Sequence, residues 1–347
     1  MSAENPSEAI MQAPYQEPLP YRHNRRWKFI ANSVWNVLAL LSLVILVIIQ
    51  LSSFSRGGGQ LLGFAASHAV TIAMIVPMLI LLMASGEIDL SIGAVASLSA
   101  MVAALLIGAG TPIALALLAS LPLGLAIGVA HGLLVGVARL NGALVTVASA
   151  ALIQGIAIAL RGESGPLRGD RDQVGVAVWI LGGALALLLT VSVIVLVNLT
   201  PFGRRPAPGD PPEPILRRAL WVGLPFAVSG MMAALAGALT LARLGFADPA
   251  VGLSLGTQAL LAALIGGTPL AMGVANGFGG LLGAVIVVLL SLLQSRLQAQ
   301  AKIPVALFTG LAFVAATLIA HLAHGLVGWL GQRRKAAASE RPDPAPG

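Results

Sequence analysis

The sequence predicts an all-α, polytopic membrane bundle, and three observations carry that expectation. Hydrophobic residues make up 57% of the 347 residues and charged residues only 10%, whereas a soluble domain is nearer a quarter charged. The apolar residues fall in runs of the length a bilayer demands, about 20 residues of helix. The basic residues gather at the chain ends and in a few connections, as they do on the cytoplasmic side of membrane proteins. The net charge of +7 is therefore no nucleic-acid signature, and no nucleic-acid partner is expected. The chain has no cysteine, which excludes disulfides and cysteine metal sites.

Residues 1–28 read as a cytoplasmic disordered tail with a basic juxtamembrane segment. Met1 to Pro20 hold four prolines, three glutamates and no apolar run, unlike a cleavable signal. Arg22, Arg25, Arg26 and Lys28 stand directly before the first apolar run, which fixes it as an anchor with its N-terminus inside. A transmembrane domain is expected over 29–332, and a cytoplasmic tail over 333–347. About ten spans are readable, near 35–54, 61–85, 90–109, 113–137, 142–160, 175–199, 219–243, 253–270, 275–294 and 303–330. The fifth and eighth are the weakest and also read as half-helices or re-entrant segments, which membranes tolerate only inside protein. Ten spans place Arg139, Arg204, Arg205, Arg217 and Arg218 inside with Arg333, Arg334 and Lys335. The one discordant connection carries Arg296 and Lys302 on the outer side.

Small residues recur at helix-packing spacing. Gly124, Gly128, Gly132 and Gly136 share one face of the fourth span, and Gly273, Gly277, Gly279 and Gly283 surround the ninth. Helices in lipid gain nothing by hiding apolar surface from water, so close backbone approach drives their association. Tight packing is the expected role, with a pore-lining face as the alternative.

The chemistry-bearing residues are few. A phosphate-binding P-loop needs lysine after glycine, and none of Lys28, Lys302 and Lys335 follows a glycine. No ATPase motif, enzyme activity, cofactor or metal site is expected in this chain. Glu87 and Asp89 lie at the seam between two apolar spans, where carboxylates are costly and usually functional. Asp89 precedes Leu90 at a span start, where its carboxylate can accept the free N–H groups of the first turn, with Ser91 sharing the role. Capping is compatible with a gate or pathway role; Glu87 reads as a solvated loop acid. Thr146 and Gln154 are further pathway candidates. His68, His131, Asn141, Gln258 and Asn276 read as interhelical hydrogen-bonding groups or ligand groups. His321 and His324 lie one turn apart without a third metal ligand nearby.

Several segments then line up with a known family. Gly86-Glu87-Ile88-Asp89-Leu90-Ser91-Ile92-Gly93 resembles the Gly-Gly-Ile-Asp-Leu-Ser signature of bacterial ABC importer permeases of the ribose and simple-sugar type. Asn141 to Gly155 resembles that family's threonine-containing apolar segment. Thr200-Pro-Phe-Gly203-Arg204-Arg205 resembles the beginning of its coupling loop, and Ser229-Gly230 to Ala236-Gly237 the span after it. Ala262-Ala263-Leu264-Ile265-Gly266-Gly267-Thr268 resembles its Ala-Ala-x-x-x-Gly-Gly-Thr segment. The resemblance implies an inner-membrane permease subunit that moves a sugar or sugar-like solute. It implies a second permease subunit, identical or paralogous, a cytoplasmic ATP-binding subunit and a periplasmic substrate-binding protein, all embedded in or docked on membrane lipid. Gly203, Arg204, Arg205, Arg217 and Arg218, in the loop over 200–218, would meet the ATPase. The chain departs from the pattern where Glu87 replaces a glycine and where prolines between Pro206 and Pro214 replace a small-residue helix. An ion-coupled secondary transporter and a non-transport membrane scaffold are the rival readings.

Overall fold

The computed structural model describes residues 25–52, 58–161, 167–168, 174–200, 214–268, 275–302, 304, 307–319 and 322. Among them the chain folds into helical rods: α1 (Arg25–Ser52), α2 (Gly58–Ser85), α3 (Ile92–Gly108), α4 (Ile113–Val137), α5 (Gly142–Arg161), α6 (Val176–Leu199), α7 (Ile215–Leu244), α8 (Pro249–Ile265), α9 (Gly277–Ala301) and α10 (Leu307–Ile319). Six of them, α2, α4, α5, α6, α7 and α9, are long and apolar enough to cross a bilayer. The apolar stretches Asn32–Ile48, Ile92–Gly108, Pro249–Ile265 and Leu307–Ile319 are shorter. The expected all-α membrane bundle is thus what the chain forms. The fifth span, read as weak, is one of the six. The eighth is short and starts inside the bundle: the Pro249 carbonyl accepts hydrogen bonds from Ser97 in α3 (2.7 Å) and Gln154 in α5 (3.1 Å).

The core sits around α2, α3 and α7. Every residue from Ser91 to Met101 is buried, and α3 packs on α7, α8, α5 and α4. By contrast, α5 and α6 turn Leu144, Leu152, Val176, Ile180 and Leu181 outward. An apolar exterior around an equally apolar interior departs from the soluble pattern, whose exterior is polar, and suits a lipid surround.

The expected glycine packing is realised between α4 and α7. A Cβ added at Gly124, Gly128 or Gly132 would strike the backbone of Gly230, Phe226 or Gly223 respectively. The α4 glycine face is therefore a helix seam, not a pore lining. Both helices widen into a π-turn where the seam ends, at Leu133–Val137 in α4 and Ala219–Gly223 in α7. These two turns lie against each other.

Three connections meet at one end of the bundle: the α2–α3 turn, the α4–α5 turn and the start of α7. At the other ends of α5 and α7, Leu167–Arg168 pairs antiparallel with Phe246–Ala247, opposing Leu167 to Ala247 and Arg168 to Phe246. An Arg161–Asp248 ion pair at 3.4 Å lies beside this short ribbon. Gly203, Arg204, Arg205 and Gly273, the proline run before Pro214, His321 and His324, and most of both tails lie outside the described residues.

Candidate functional site

The α2–α3 turn begins with a helix stop. Gly86 adopts φ 89°, and the N–H groups of Gly86 and Glu87 return to the carbonyls of Met83 and Leu82. This is the Schellman closure that glycine permits. It leaves residues 87–90 outside any helix, where Glu87 and Asp89 reach different neighbours.

Asp89 turns inward and is buried. Its Oδ1 accepts the Ser91 N–H (2.9 Å) and the Ser91 hydroxyl (2.6 Å), while Oδ2 accepts the Ser229 hydroxyl of α7 (3.0 Å). Both carboxylate oxygens are occupied, which offsets the cost of removing the charge from water. The geometry corrects the capping expectation. Ser91 is the N-cap of α3 and makes no side-chain cap bond; its hydroxyl donates to Asp89. Asp89 therefore holds the residue before the helix and joins it to α7.

Thr146, one turn into α5, is fully buried beside the same segment. It accepts the Leu90 N–H (3.1 Å) and donates within its own helix to the Gly142 carbonyl (2.8 Å). His131 of α4 lies edge-on to Phe226 of α7, with ring centroids 6.2 Å apart. It is within Coulombic reach of Asp89, and its Nδ1 has no hydrogen-bond partner among the described residues. Asp89, Ser91 and Thr146 thus come together, and they gather α3, α5 and α7 around them. Gln154 does not join them. Two turns further along α5, it donates to Pro249 at the start of α8, and its Oε1 is buried without a protein partner among the described residues.

Glu87 is not a solvated loop acid. Its Oε1 pairs with Arg218 of α7 at 3.1 Å, and its Oε2 accepts the Gly142 N–H at the start of α5 (3.2 Å). Arg218 is therefore turned back into the bundle end, while Arg217 is exposed. Sequence reading missed this pair and Ser229, because partners more than 130 residues apart leave no local pattern.

Gly266, Gly267 and Thr268 build a second junction. Gly267 has φ 84° and closes α8 by the same Schellman bonds, with Trp35 of α1 packed where a Cβ would stand. Asn276 organises this corner. Its side chain caps α9 at the Gly279 N–H (3.1 Å) and donates to the Gly266 carbonyl (2.9 Å) and to Asn36 of α1 (2.8 Å). The Thr268 hydroxyl accepts the Asn276 N–H (3.2 Å). Gly93, the last residue of the first signature, packs its α carbon against Gly252 and Leu253 of α8. An asparagine directly before a glycine-rich apolar run is a readable cap signal, whereas its α1 partner is not readable.

A further polar group lies between α2, α7 and α8. Arg243 is buried, with its guanidinium 4.7 Å from the centre of the Phe64 ring. His68 lies beside Gln258, which donates to Ser254 within its own helix (3.0 Å) and keeps a buried Oε1 without a partner among the described residues. Among the described residues no cluster of three metal-ligating side chains occurs.

Curated proteins similar to the chain are transport permeases. The ribose import permease protein RbsC of Bacillus subtilis is 32% identical over 216 residues, which is 58% of this chain and 67% of that protein. The autoinducer 2 import system permease protein LsrC of Yersinia enterocolitica is 28% identical over 218 residues, 59% of each chain. The D-allose transport system permease protein AlsC of Escherichia coli is 28% identical over 242 residues, 67% of this chain and 74% of that protein. The matched region thus spans from about three-fifths to three-quarters of these relatives. No family model matches the chain, and no solved structure matches it.

Proposed function

We propose a function from one premise: the chain belongs to the ribose and simple-sugar permease family of ATP-binding-cassette importers. It is a multi-pass membrane permease, and we infer that it provides the route for a sugar or sugar-like solute across the bacterial inner membrane. ATP hydrolysis then belongs to a separate cytoplasmic subunit, and solute capture to a periplasmic binding protein. A second permease subunit, identical or paralogous, completes the channel.

The observation that carries this reading is the convergence on one bundle end. The α2–α3 signature turn, the α4–α5 turn with Arg139, and the start of α7 with Arg217 and Arg218 meet there. That is the end to which loop charge assigns the cytoplasm, so a force applied at the α6–α7 connection would reach the signature directly. In this topology residues 1–28 and 333–347 face the cytoplasm. Gly203, Arg204 and Arg205, with Arg217, form the basic surface offered to the ATPase. Asp89, Ser91 and Thr146 form the joint that the force moves, and Gln154 lies farther along the route.

The test is reconstitution in proteoliposomes with a cytoplasmic ATPase subunit and a periplasmic binding protein that co-purify with this chain, using radiolabelled pentoses and hexoses. Accumulation is expected only with all components and ATP, and Arg204→Glu with Arg205→Glu should abolish it. Accumulation by the chain alone, driven by an ion gradient, would sink the proposal.

A further inference from the structure

We propose that Glu87 is a positioning residue that clamps the starts of α5 and α7 to the α2–α3 turn, so that the three move as one block when the α6–α7 connection is displaced. The inference rests on the importer reading for its purpose, but its geometry stands apart from it.

One carboxylate serves two helices. Oε1 holds the Arg218 guanidinium at 3.1 Å, and Oε2 holds the Gly142 N–H at 3.2 Å. The pair is largely withdrawn from solvent, with side-chain exposures of 14% for Glu87 and 26% for Arg218. Pairs so placed escape much of the screening that weakens surface ion pairs. Space for the carboxylate is reserved by a missing side chain, since a Cβ on Gly142 would stand 2.5 Å from Oε2. The backbone carrying Glu87 is itself locked to Leu82 by the Schellman closure (2.9 Å).

The same two helices grip the turn again within three residues. Leu90 donates to Thr146 of α5, and Asp89 accepts from Ser229 of α7. The turn is thus held twice by α5 and twice by α7. Of the four links, the ion pair lies nearest the start of α7, where the connection from α6 arrives. It is the first to bear a displacement coming from that side. Its acid stands where the resembled signature has glycine, so this link is a feature of the present chain.

The absence of cysteine permits a direct test. Spin labels at Leu144→Cys in α5 and Leu216→Cys in α7 occupy exposed positions (70% and 73%), and pulsed electron resonance reads the distance between them in nanodiscs. The parent should give one narrow distribution. Glu87→Gln and Arg218→Gln should each broaden it, with the double variant no broader than either, and Arg218→Lys should stay narrow. Gly142→Ala, which displaces the carboxylate while keeping both charges, should broaden it as well. Widths unchanged in both single variants, or widths that add in the double variant, overturn the clamp. If Glu87→Gln fails to fold, Arg218→Gln and Gly142→Ala decide alone. In the assembled importer, the same variants should raise the ATP hydrolysed per solute accumulated; an unchanged ratio overturns the coupling role. Absence of ATP-driven flux in the parent would instead count against the importer reading and leave the distance result intact.

Discussion

Replacing Asp89 by alanine leaves the Ser91 N–H and the Ser91 and Ser229 hydroxyls facing an empty, buried space. Each donor so abandoned costs about 1–3 kcal/mol, so Asp89→Ala should lower the unfolding temperature of the purified chain markedly in a thermal scan. Asp89→Asn keeps one acceptor oxygen and should fall between. A double-mutant cycle of Asp89→Asn with Ser229→Ala should return a coupling of about 1 kcal/mol; additivity would mean that the 3.0 Å contact carries no energy. Asn276→Ala should cost about 1 kcal/mol for the cap alone, and more because the Asn36 and Gly266 bonds go with it. The sequence announced Asp89, Ser91 and Thr146, because a polar side chain between apolar runs is conspicuous. It was silent on what Ser229 would touch, on Asn36 and on the Arg218–Glu87 pair. Serine and asparagine are common on helices, and nothing in linear order tells which residue will face which.

At the level of elements, the length of the apolar runs placed the helices well but misjudged their weights. The run over 142–160, diluted by Thr146, Ser149 and Gln154, looked weak and forms a full spanning helix. Its polar groups face α3, α8 and the α2–α3 turn, so the outward side remains apolar. The run over 253–270 really is short, because Pro249 with Asp248 as cap starts α8 beside the interiors of its neighbours. Glycine spacing was the most dependable packing signal, since a row of four-residue intervals can be met only by another backbone. The comparison of Gly128→Leu with Gly155→Ala tests it. Gly128 meets the Phe226 carbonyl and Ala227, whereas nothing lies within 4 Å of a Cβ at Gly155. Gly128→Leu should prevent recovery of folded protein from detergent. Gly155→Ala should be neutral or stabilise by up to about 1 kcal/mol, the difference in helix propensity, read as a retained or raised melting temperature.

For the molecule as a whole, the apolar-to-charged balance pointed to a membrane protein, the carboxylates at a span seam to transport, and the missing P-loop to an energy source on another subunit. The relatives are import permeases. Solute identity was never legible, because the polar side chains gathered at the α2–α3 turn are committed to one another. If that holds in the assembled importer, Thr146→Val should slow maximal flux more than it changes the solute concentration at half-maximal rate. A change confined to the latter would place Thr146 in direct contact with cargo instead.

The α4–α7 seam constrains how this chain can vary. Where two main chains touch, no rotamer can yield to a larger neighbour. Along Leu144, Leu152, Ile180 and Leu181, by contrast, almost any oily side chain will serve. A saturation library scored for surviving protein should therefore divide sharply, barren at Gly124, Gly128 and Gly132 and permissive across the outer flank, with leucine, valine, isoleucine and phenylalanine exchanging freely there.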